Sequence, residues 1–201
     1  MKKGTIILLV VLGVIVIGAF SIYGWYKNTY NGFVSMEEGV KSSWSQVENQ
    51  YQRRFDLIPN LVNTVKGVAD FEKETYTAVT EARAKVGQVN INANDLGDAQ
   101  KFQQFQEAQS GLSSSLSRLL VAVENYPQLK ANENFLQLQA QLEGTENRIS
   151  VERRRFNESV QSFNTAIKLF PASIIANISG FTAKQYFESS EGAEQAPKVE
   201  F

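Results

Sequence analysis

The chain has 201 residues, a formal net charge of −1, and neither histidine nor cysteine. Those absences exclude disulfides, thiol redox chemistry, thiolate and imidazole metal ligands, and the Ser-His and Cys-His nucleophile pairs. Carboxylate chemistry and oxygen-ligated cations survive, but with Lys2, Lys3 and Lys27 set aside the 20 basic residues fall to 17 against 21 acidic ones, a balance that argues against nucleic acid as a partner.

From Gly4 to Tyr26 the chain runs for 23 residues without a charge. At about 1.5 Å of rise per residue, roughly 20 apolar residues cross a hydrocarbon core of about 30 Å, so this run is long enough to span a bilayer once. A cleaved signal peptide has a shorter apolar region, and its best exit here, Ile17-Gly18-Ala19, puts isoleucine where a small residue belongs. The expectation is an uncleaved signal anchor over residues 1–27. Lys2 and Lys3 precede the span and only Lys27 follows closely, which places the N-terminus in the cytoplasm and the body outside it. Tyr23, Trp25 and Tyr26 form an aromatic belt at the membrane interface, with Tyr30 passing into the body.

Beyond the anchor, alternating steps of three and four pick out Tyr30, Phe33, Glu37, Val40, Trp44, Val47, Tyr51, Arg54, Ile58, Leu61, Val65 and Val68, ten of the twelve apolar. A second stripe takes Phe102, Phe105, Gln109, Leu112, Leu116, Leu119, Val123 and Tyr126. A third keeps a seven-residue step through Phe135, Leu142, Ile149, Phe156, Phe163 and Phe170. Strand-like alternation is absent, and a sevenfold repeat suits helices packed at shallow angles. The fold class is therefore all-α: the anchor, then an antiparallel bundle of three to four long helices with heptad, coiled-coil-like packing over residues 28–187.

The boundaries are also legible. A polar stretch from Val86-Gly87 to Asn94-Asp95 should end the first helical region, with Asn94 or Asp95 capping the second. Tyr126-Pro127 ends the second, because proline disfavours helix at the residue before it. Asn132 or Asn134 caps the third, which runs about 38 residues to Phe170-Pro171. Ile174 to Ile178 packs as a lid across one end of the bundle. From Glu188 the composition is that of a disordered tail, residues 188–201. Pro59 interrupts the first stripe without changing its phase, which favours one kinked helix of nearly 60 residues over two helices meeting near Asp56–Asn60.

The densest charge clusters are Arg53 and Arg54 with Asp56, and Arg153, Arg154 and Arg155 with Glu146 and Glu152. Arginine forks suit carboxylates and phosphates, so one reading is an anion or partner site. The other is ion pairing within and between helices, such as Arg148 with Glu152 at i, i+4. Pairing is favoured, above all for Arg54, which occupies a stripe position. Glu72, Glu74 and Glu81 read as a solvated face. No catalytic residue, metal ligand or cofactor is expected.

Three stretches in this order resemble the LemA family: Tyr30-Asn31-Gly32-Phe33-Val34; Gln52 to Val62 with Thr80 to Ala84; and Tyr126 to Phe135, Gly144 to Ile149 and Glu152 to Asn157, closing with Phe170-Pro171 and Gly180-Phe181. The resemblance covers nearly all of the chain outside the tail. It implies a bacterial single-span protein of the inner membrane with a helical body held outside the cytoplasm. It brings no catalytic activity, and the company of other envelope proteins. The expected function is a non-enzymatic membrane-anchored scaffold acting through protein–protein contacts. Exposed faces on overhanging helices leave room for a homo-oligomer. No nucleic acid or small-molecule substrate is expected. The alternative is an envelope sensor that binds an anionic ligand at the arginine cluster.

Overall fold

The computed structural model describes residues 3–68 and 71–188. The expected tail lies almost wholly outside them. Among the described residues every regular element is helical: α1 (Lys3–Lys66), α2 (Lys73–Gln88), a short 3₁₀ turn (Asp95–Gly97), α3 (Ala99–Val123), α4 (Pro127–Lys130), α5 (Glu133–Lys168) and α6 (Ala172–Ser179).

Helix α1 is 64 residues long, about 96 Å at the usual rise. Its N-terminal third is the apolar run, with Ile7, Leu8, Val14, Ile17 and Phe20 all exposed. Among the described residues this is the one helix long and apolar enough to cross a membrane. The helix continues from that run into the body without a break, and its first buried side chain is Phe33.

From there the buried positions of α1 are Val40, Trp44, Val47, Tyr51, Arg54, Ile58, Leu61, Val62 and Val65. Nearly all of them lie on the stripe read from the sequence. The hydroxyls of Ser43 and Ser159 lie 2.9 Å apart, Trp44 meets Phe156 with centroids 5.5 Å apart, and Arg54 reaches Glu146 at 2.7 Å. Rising numbers on α1 thus meet falling numbers on α5, and the two helices are antiparallel. Trp44 packs on Phe102 and Tyr51 on Phe105, so α3 runs with α1. Lys66 sits over Tyr76 and Arg83 over Phe55, so α2 runs against α1. The result is an up-down-up-down bundle of α1, α2, α3 and α5.

Three boundaries differ from expectation. The first helical region ends at Gln88, within the polar stretch as read, but it is not one kinked helix and it does not divide at Pro59. It breaks after Lys66, where Gly67 begins the turn that leads to α2. At the start of α3 the cap is Asp98, not Asn94 or Asp95: its Oδ1 accepts from the N–H groups of Gln100 and Lys101 at 3.0 and 3.1 Å. Asp95 is instead held by Lys101 at 2.6 Å, and that contact lowers the pKa of its carboxyl. Pro127 does not terminate α3 directly. It opens α4 at the first position, where a missing N–H costs nothing. Asn132 caps α5 as read, accepting from Phe135 N–H at 3.0 Å.

Pro59 lies inside a continuous α1 for a specific reason. Proline cannot donate to the carbonyl of Phe55 four residues earlier. That carbonyl instead accepts from Nε of Arg83 on α2 at 3.1 Å, while the Arg83 guanidinium stacks on the Phe55 ring at 3.6 Å. A side chain from the neighbouring helix supplies the bond that the backbone lacks.

Two predictions follow from this packing. Trp44 and Phe156 are each fully buried, so Trp44→Ala or Phe156→Ala is expected to cost about 3–5 kcal/mol, read as a lowered melting temperature of the full chain in detergent. Arg83→Met is expected to cost about 1–2 kcal/mol, and much less in a Pro59→Ala background, where a helical N–H returns to Phe55. Equal costs in the two backgrounds would show that Arg83 does not act through that carbonyl.

Candidate functional site

The interior of the bundle is divided. One apolar cluster, nearer the N-terminal span, joins Phe33, Val40, Trp44, Phe102, Phe156, Phe163 and Phe187. The other, at the far end, joins Ile58, Leu61, Val65, Val79, Leu112, Leu119, Phe135 and Leu142. Arg54 lies in the sequence interval of α1 between them, with 1 % of its surface exposed.

A buried guanidinium requires acceptors, because an uncompensated charge in a low-dielectric interior is strongly unfavourable. Three side chains provide them. Nη1 of Arg54 donates to Ser113 Oγ at 2.6 Å and to Glu146 Oε1 at 2.7 Å, and Nη2 donates to Oε1 of Gln109. Among the described residues its Nε has no hydrogen-bond partner. The ring of Tyr51, one turn earlier, lies 5.1 Å from the guanidinium carbon. Burial raises the pKa of the Tyr51 phenol, and the positive charges of Arg153 and Arg54 offset part of that rise. Helices α1, α3 and α5 therefore meet in one polar layer. Gln109 stood on the second stripe as an unexplained polar member, and this layer is its reason. Nothing in the sequence marked Ser113.

The other residues of the two charge clusters do not join that layer. Arg53 is exposed, and Asp56 accepts from Gln52 Nε2 at 2.7 Å on the outer side of α1. Glu152 pairs with Arg155 at 2.8 Å, three residues on, rather than with Arg148. Arg154 is exposed. Arg153 donates to the carbonyl of Glu188 at 3.0 Å and stacks on Phe187 at 4.5 Å. Arg153 and Arg154 line an open groove of about 810 Å³ with Glu146, Ser150, Asn157 and Glu158. Tyr23, Trp25 and Tyr26 are exposed where the apolar run ends, with Tyr26 stacked on Tyr30.

Residues 181–188 form an extended strap, which the sequence did not reveal. Asn164 accepts from the N–H of Lys184 at 2.9 Å and donates to its carbonyl at 2.8 Å. Asn157, seven residues earlier on α5, treats Phe187 the same way at 2.9 and 2.8 Å. The N–H of Gln185 bonds to the Leu96 carbonyl, that of Glu188 to Gln106, and Lys184 Nζ to Glu37 at 2.6 Å. The strap thus carries Phe187 into contact with Trp44, Phe102 and Phe156. Gly180, with φ of 77°, allows the turn from α6 into this segment. Two asparagines at heptad spacing were the available signal, because an amide side chain can match both polar groups of an extended residue.

Glu146 is partly exposed, whereas Arg54 is buried. Glu146→Ala strands the buried cation and is expected to cost about 3 kcal/mol, while Arg54→Met leaves a carboxylate free to rehydrate and should cost clearly less. Thermal melting of the two variants of the full chain checks the order. The reverse order would mean that the carboxylate is the group needing compensation.

Comparison with known proteins places this architecture. The model of the LemA family matches residues 43–201. The magnetosome protein MamQ of Magnetospirillum gryphiswaldense is 27% identical over 96% of this chain and 76% of its own length. A MamQ of Paramagnetospirillum magneticum is 26% identical over the same shares, and the protein LemA of Metamycoplasma hominis is 24% identical over 89% of this chain and 76% of its own. The matched family region takes in most of the helical body, including the buried arginine, the paired asparagines and the strap, and the chain is a member of the LemA family.

Proposed function

We propose that this protein is a non-enzymatic, membrane-tethered helical scaffold of the bacterial envelope that acts through protein–protein contacts, including contacts with its own copies. The carrying observation is the continuity of α1: a single helix of 64 residues holds both the apolar run and the longest stripe of the bundle. A body joined to its anchor by a rigid helix keeps a set height and orientation above the bilayer, which suits an assembly element. The lack of histidine and cysteine fits the same role, since it removes the most versatile catalytic side chains. Lys2 and Lys3 ahead of the span support a cytoplasmic N-terminus, with the body outside the inner membrane. Residues 1–27 then serve as the anchor, with Tyr23, Trp25 and Tyr26 as its interfacial belt.

The relatives fit a bacterial setting, and one of them carries a name that places it at the magnetosome. For the arginines, the geometry supports ion pairing over ligand capture at Arg54, whose Nη groups are occupied by Ser113, Glu146 and Gln109. The groove beside Arg153 and Arg154 is the place that favours the second reading, an anion sensor.

Mild detergent extracts resolved by native electrophoresis, after crosslinking in intact cells, are expected to give discrete species above the monomer and to capture other envelope proteins. A strict monomer with no captured neighbour would remove the scaffold reading. Stabilisation of the full chain by inorganic phosphate, lost in Arg154→Gln, would favour the sensor instead.

A further inference from the structure

Helix α6 buries Ile175 and Ala176 against the bundle, while its opposite face presents Ile174 and Ile178, which are 50% and 75% exposed. Just before it, Leu169 is 59% and Phe170 82% exposed. These four large apolar side chains lie within ten residues at one corner. At the far end of the bundle the exposed apolar side chains, such as Val121 and Leu136, are far apart in sequence and on different helices. Contiguous exposed apolar surface of this kind marks a contact with something apolar.

The position of the corner identifies what that is. Phe181, two residues past α6, packs on Tyr30 and Phe33 with centroids 5.7 and 5.3 Å away. The antiparallel pairing of α1 with α5 continues toward the span, so the end of α5 at Lys168 lies level with about Phe33, and Phe181 reaches on to Tyr30. Tyr30 is four residues beyond Tyr26, or about 6 Å along the helix, where the uncharged run ends. The headgroup layer on each side of a bilayer is of that thickness, roughly 5–8 Å. Lys168 and Lys27 are exposed at the same end, suited to lipid phosphates. The described chain ends at Glu188 beside Arg153, more than four turns of α5 away from the corner, so the strap does not cover it.

We propose that the Leu169–Phe170 corner and the outer face of α6 form a second membrane contact, seated in the headgroup and upper acyl region of the leaflet from which α1 emerges. The inference rests on the tethered reading above, because it needs α1 to cross the bilayer. A bundle held by a single helix could swing about the exit point. A second apolar contact off the helix axis fixes its tilt and rotation, and so fixes which faces the scaffold presents to its neighbours.

The chain has no cysteine, so single labelling sites can be introduced without background. Phe170→Cys, Ile178→Cys, Val14→Cys in the span and Val121→Cys at the far end would each carry an environment-sensitive fluorophore. The full chain would be placed in nanodiscs of phosphatidylcholine and phosphatidylglycerol, with or without lipids bearing a quencher near the headgroup or, for position 14, at the end of the acyl chain. Probes at 170 and 178 are expected to lose about half their emission to the lipid quencher and to be shielded from aqueous iodide about two-fold relative to 121. Iodide access at 170 and 178 equal to that at 121, with 14 still in contact with lipid, would overturn the inference and leave the tether standing. Failure of lipid to reach 14 would overturn the tether itself. Shielding of 170 and 178 from both quenchers would put a protein surface there, a second copy included, and would equally overturn the lipid contact.

Discussion

Arg54 sets the terms for the rest of the bundle. Its guanidinium is enclosed, and a cation in that position is tolerable only if acceptors from other helices arrive at the same height. Gln109 and Ser113 on α3 and Glu146 on α5 do so. Apolar stripes with a regular step slide past one another by whole heptads at modest cost. A buried charge with three fixed partners does not allow such a slip, because every alternative register leaves it uncompensated. The polar layer thus gives α1, α3 and α5 one alignment, and the two apolar clusters on either side supply the burial that holds them there.

The same logic governs the places where the backbone departs from regular structure. Pro59 frees the carbonyl of Phe55, and Arg83 answers it from α2. The strap after Gly180 has no strand beside it, and Asn157 and Asn164 supply the matching donor and acceptor that a strand would have offered. In each case a buried or half-buried backbone group meets a side chain distant in sequence. These long-range bonds tie α2 to α1 and the C-terminal segment to α5, so the bundle closes on itself at points where its helices alone would leave gaps.

On the proposed reading, the unbroken α1 makes these internal constraints functional. A flexible stalk would decouple the body from the membrane, whereas a continuous helix transmits register and orientation from the span into the interior as far as Arg54 and beyond. The aromatic cluster around Trp44 and Phe187 lies on that path, and so does the corner at α6. Rigidity from anchor to core is what such a scaffold needs in order to present fixed faces.

The amino-acid sequence by itself determined the apolar run, the all-helical class and the three stripes, and narrowed the cap of α5 to Asn132 or Asn134, because each follows from local spacing and residue type. It also located Arg54 as a stripe position that needs pairing, and made Glu146 a candidate partner. It misplaced the break of the first helical region, since Gly67 is a weak local signal beside a proline, and it could not foresee that Arg83 would satisfy Phe55. It offered Asn94 or Asp95 where Asp98 is the cap, because all three are residue types that cap helices and only the 3₁₀ turn decides between them. The arginine runs read as two clusters, yet only Arg54 turned inward, because the face of a helix on which a residue lies depends on the neighbours it packs against. The strap was decided by tertiary structure alone: an extended segment has no periodicity of its own, and its place is set by amides 20 to 30 residues away.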